Sequence, residues 1–82
     1  MDKEYLPIER DTLHRLMKEG HKFAAIAETT ITNRTPFFTA VFGRKTMREA
    51  CDIAADIANS GRFAYVVEVP TIEVLLHFAP KA

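Results

Sequence analysis

The sequence predicts an α+β domain: an antiparallel sheet of three to four strands with two helices packed on one face, in the order α-β-β-α-β-(β). Three observations carry this reading. Apolar residues recur at helical spacing over residues 7–19 and again over residues 46–60. Phe, Ile, Val and Thr alternate over residues 22–32, 37–44 and 63–69, as in strands with two faces. Gly20, Asn33-Arg34-Thr35-Pro36 and Asn59-Ser60-Gly61 punctuate these segments where turns and helix ends are needed.

In the first helix, Pro7 suits the opening turn and Gly20 the position just past the end. Ile8, Thr12, Leu13, Leu16 and Met17 take one half of its circumference; Arg10, Asp11, His14, Arg15 and Lys18 take the other. Glu9 falls on the apolar half, at odds with a helical first turn. In the first strand, Phe23, Ala25, Ala27, Thr29 and Ile31 share one face, and Ala24, Ile26, Glu28, Thr30 and Thr32 the other. In the second, Phe38, Ala40 and Phe42 oppose Phe37, Thr39 and Val41. Their closeness along the chain predicts a hairpin. Thr46 and Glu49 have the spacing of a capping box, in which each side chain can satisfy a free backbone N–H. Met47, Ala50, Ile53, Ala54, Ile57 and Ala58 then form a wide apolar face that the alanines allow to sit close to a sheet. Phe63, Tyr65, Val67 and Val69 alternate with Ala64, Val66 and Glu68, and Pro70 ends that ladder. Residues 71–80 fit either period; the valine-rich lead-in and Phe78 favour a fourth strand.

A length of 82 residues predicts one domain. No apolar run is long enough for a membrane span, the start is too polar for a signal peptide, and a single cysteine cannot form an internal disulfide. A cytoplasmic protein is expected. Net charge is zero, which argues against a nucleic-acid partner for the chain as a whole. The charge is uneven, however: residues 22–45 hold four bases and one acid, residues 46–82 three bases and five acids.

No catalytic, cofactor or metal motif is present: there is no HExxH or CxxC, and the histidines are His14, His21 and His77. Cys51 lies at the edge of an apolar arc beside Asp52, which opposes a thiolate, so a structural thiol is the reading. His77 is expected on the solvent face of the last strand. Glu49, Asp52 and Asp56 fall within about 60° of one another on their helix. They make a stripe that is either simply solvated or a protein contact, with Arg48 four residues before Asp52 as partial offset. Arg10, His14 and Lys18 repeat every four residues as a basic stripe. Arg34, Arg44 and Lys45, beside Phe37, Phe38 and Phe42, are the residues a nucleic-acid-binding module would use. An open sheet face would show residues such as Ala24, Ile26, Phe38 or Val66, which a homodimer through sheet faces or edges would cover.

The hairpin, the alanine-rich capped helix and the closing strand, over residues 22–69, resemble in plan and size several small phage-encoded inhibitor proteins, some anti-CRISPR proteins among them. That resemblance implies a small binding inhibitor and assigns no residue. The expected function is a non-enzymatic protein-binding module that occludes a partner's surface, without cofactor. The alternatives are the nucleic-acid module and a small enzyme or ligand-binding protein with a dimer-interface site.

Overall fold

The computed structural model describes Tyr5, residues 8–29 and residues 37–81, apart from the side chains of Thr29 and of residues 37–40. Six elements follow in the predicted order: α1 (Arg10–Lys18), β1 (Phe23–Thr29), β2 (Phe37–Arg44), α2 (Met47–Asn59), β3 (Ala64–Glu68) and β4 (Val74–Phe78). The ambiguous tail is a strand. The strands form one antiparallel sheet in the order β2-β1-β3-β4. β1 is therefore flanked by β2 and β3, which run parallel to each other. Parallel strands cannot be joined by a tight turn, and α2 is the crossover that returns the chain over β1. The expected turn at Asn33-Arg34-Thr35-Pro36 lies outside the described residues.

The two helices lie on opposite faces of the sheet, not on one. Register makes this plain. Ala24 pairs with Val67 and Ile26 with Tyr65, and this face packs with Leu16 and Leu13 of α1. Ala25 pairs with Val66 and Ala27 with Ala64; the Ala25–Val66 face packs with Ala50 and Ala54 of α2. The cause is that β1 and β3 are apolar on both sides, and a sheet buried on both faces needs a cover on each. Ala24, Ile26 and Val66, candidates for an open sheet face, are all fully buried.

Each helix end has a visible cause. α1 begins at Arg10, later than Pro7 suggested: Glu9 is extended (φ −67°, ψ 145°) and makes no side-chain cap, so its carboxylate never has to enter the apolar side. Both helices close in Schellman turns. Gly20 donates to the Met17 carbonyl at 3.1 Å and His21 to Leu16 at 3.0 Å; Gly61 donates to Ala58 at 3.0 Å and Arg62 to Ile57 at 3.4 Å. The glycines take φ of 77° and 94°, the left-handed region where a Cβ is penalised. Ile72, between β3 and β4, also has a positive φ of 60°. Its side chain is 4% exposed, in the cluster of Leu16, Val67 and Val69. Burying an isoleucine stabilises by about 2–3 kcal/mol, comparable to the backbone strain of a single such residue.

Gly43 fixes the seat of α1. It lies opposite Ala24, on the α1 face. A Cβ at residue 43 would overlap Nδ1 of His21 and stand 2.6 Å from its Cγ and from Cδ2 of Leu16. The bare backbone thus makes the hollow that takes the end of α1. Gly43→Ala should destabilise by about 1–3 kcal/mol, the usual range for overpacking. Urea unfolding followed by circular dichroism measures it, and an unchanged midpoint would contradict the tight seat.

Candidate functional site

The outward face of α2 is built by the same periodicity that buries its inward face. Ala50, Ala54 and Ala58 touch the core, four residues apart, and half a turn away Asp52 and Asp56 are exposed. At the start of the helix, Thr46 Oγ1 accepts the Glu49 N–H at 3.2 Å, as a cap should. The reciprocal bond differs from the expected box: the Thr46 hydroxyl donates to Glu49 Oε1 at 2.8 Å. Glu49 is thereby engaged in the cap. Asp52 and Asp56 are not: among the described residues no cation pairs with either carboxylate, and the i, i+4 pairing open to Arg48 is not formed.

Arg10, His14 and Lys18 are exposed along α1, as their spacing predicted. Because α1 and α2 cover opposite faces, this basic stripe and the acidic stripe point away from each other. One flat partner surface cannot meet both. The basic cluster is also less open than expected: Arg44 is half-buried, and its Nη1 donates to the Gly43 carbonyl at 2.6 Å. Lys45 is exposed, while Arg34 lies outside the described residues, as do the side chains of Phe37 and Phe38. Cys51 is half-buried against the cluster of Ala25, Ala50 and Ala54. Among the described residues no group of three His, Cys, Asp or Glu side chains is arranged to hold a metal ion.

A polar group escaped the sequence reading. The Tyr65 hydroxyl donates to Glu28 Oε2 at 2.5 Å, and the His77 ring stands edge-on to the Tyr65 ring, centroids 5.1 Å apart at 71°. All three belong to the α1 face, since Ile26, Tyr65 and His77 occupy paired positions across β1, β3 and β4. Glu28 N–H also donates to the Phe63 carbonyl at 2.9 Å, just before β3 begins. Together these bonds tie the end of β1 to the start of β3. Glu28 and Tyr65 are distant in sequence, and period-2 alternation gives their faces only after the strand order is known; nothing local marks them as partners. His21 is a second such case: its Nδ1 is buried without a hydrogen-bond partner among the described residues, the Glu19 carboxylate being 3.8 Å away.

Comparisons of the chain with protein-family models, with curated proteins and with solved structures find no match. Among the described residues no helix is long and apolar enough to cross a membrane.

Because a hydrogen bond to a carboxylate in a half-buried setting typically contributes about 1.5 kcal/mol or somewhat more, Tyr65→Phe should lower stability by that order. Chemical denaturation of the purified variant measures this, and a cost near zero would show the phenol to be no tie between β1 and β3.

Proposed function

We propose that the chain is a small non-enzymatic protein-binding module, an inhibitor of the phage type, that occludes a basic surface of its partner with the outward face of α2. The observation that carries this is the pair Asp52 and Asp56: two exposed carboxylates one helical turn apart, with no intramolecular cation among the described residues. Exposed charges of one sign on a rigid element steer association with an oppositely charged surface and set its orientation. The helix beneath them is packed directly on the sheet, with Ala50 and Ala54 fully buried against β1 and β3. Glu49 extends the stripe while serving the cap. Arg10, His14 and Lys18, on the far side of the sheet, are a separate basic surface and not part of this contact.

Reversal of both charges, Asp52→Lys with Asp56→Lys, tests the reading. Both residues are exposed and have no ion-pair partner among the described residues, so the melting temperature should stay nearly unchanged. A partner that the wild-type chain retains from an extract of its source cells at low salt should be lost by the variant. Raising the ionic strength to about 0.5 M, where the Debye length is only a few ångströms, should release it from the wild type. Retention of the same partner by the folded variant would remove α2 as the contact.

A further inference from the structure

We infer that β2 is a self-association edge: two copies pair their β2 strands antiparallel about a twofold axis at Phe42, joining two four-stranded sheets into one of eight strands. This concerns a different surface from the acidic face of α2 and does not depend on it.

The two edges of the sheet differ beside β4 alone: no described residue pairs with the outer side of Val74–Phe78 either, but an isolated bridge lies next to that strand. At the β4 edge, Tyr5 forms an antiparallel bridge with Glu73, directly before the strand. At the β2 edge, no described residue pairs with the outer side of the strand. An edge strand is normally blunted by proline, an inward charge or a bulge. β2 carries neither proline nor charge before Arg44. It does carry a bulge: Ala27 pairs with Ala40 and Glu28 with Phe38, leaving Thr39 over. The bulge disrupts the hairpin end and leaves Ala40–Arg44 as a regular run with Phe42 at its centre.

That run is self-complementary. A twofold axis normal to the sheet pairs residues of the same face, so one residue must meet its own copy. The register that uses the whole run puts Phe42 opposite Phe42, Val41 opposite Gly43 and Ala40 opposite Arg44. The two Arg44 positions are then about 14 Å apart along the strands, beyond strong repulsion at physiological salt. Zero net charge adds no long-range repulsion between copies.

The apolar surface near this edge fits the same arrangement. Phe42 is 41% exposed and faces the α2 side, opposite Ala25; Met47, in the first turn of α2, is 36% exposed. α2 lies over β1 and β3, so two copies would set their α2 helices about 19 Å apart for a strand spacing of 4.8 Å. Helices with side chains are about 10–12 Å across. The gap between them has room for the Phe42 and Met47 side chains of both copies. The core gives a motive: seven of the thirteen buried apolar residues are alanines, and a small domain with so little interior volume gains from association.

Sedimentation equilibrium of the wild-type chain should return the mass of two chains, and Phe42→Lys the mass of one with an unchanged far-ultraviolet spectrum. Directly opposed residues have Cα atoms about 4.5–5.5 Å apart, within disulfide range. In a Cys51→Ser background, Phe42→Cys should therefore cross-link rapidly under mild oxidation. Leu76→Cys, on the same face but in the other edge strand, should not. A monomeric wild type overturns the proposal; so does a dimer that cross-links through residue 76 and not through residue 42.

Discussion

The structure depends on a central strand that is apolar on both sides. Ala24, Ala25, Ile26 and Ala27 are all fully or almost fully buried, so β1 offers water neither face. Its hydrogen-bonding edges are likewise taken, by β2 on one side and β3 on the other. A strand in that position forces the rest. The sheet must be covered twice, one helix must go to each face, and the chain between β2 and β3 must be long enough to cross over β1. The separation of the acidic and basic stripes onto opposite sides follows from the same constraint, with no electrostatic cause of its own.

The two covers are not equal. α2 spans the sheet and meets it with alanines, whose small side chains bring the helix axis close and place β1 and β3 directly beneath it. α1 has nine residues, no side-chain N-cap and a single fully buried side chain, Leu16. Its hold depends on a hollow in the sheet, made where Gly43 lacks a side chain, and on Ile72 arriving from the β3–β4 connection. A helix this short has little intrinsic stability. The face under α1 is also where the polar group of Glu28, Tyr65 and His77 appears, while the α2 face is packed with Ala25, Ala64 and Val66.

What could be read from the sequence was whatever depends on local pattern. Order and type of the elements follow from periodicity, and the start of α2 and the C-terminal ends of both helices from Thr46, Gly20 and Gly61, because caps and turns are satisfied within a few residues; the start of α1, which has no side-chain cap, was not legible in this way. The exposed stripes of both helices were legible for the same reason. Placing both helices on one face left an apolar sheet face open, for a second copy to cover; the structure covers it with α1 instead. Ala24 and Ala25 give no contrast between faces, so alternation could not show which face was buried; both are. Strand order, the hollow at Gly43 and the bond between Glu28 and Tyr65 depend on contacts between distant segments. They leave no local trace.

Amide hydrogen exchange tests the primacy of β1 most directly. If a strand covered on both faces organises the fold, the amides of residues 24–27, with those of Val66 and Val67 opposite, should exchange only through global unfolding. The amides of α1, held by few side chains, should exchange faster, through local opening. Amides of α1 as slow as those of β1, or β1 amides that open well before global unfolding, would contradict the account.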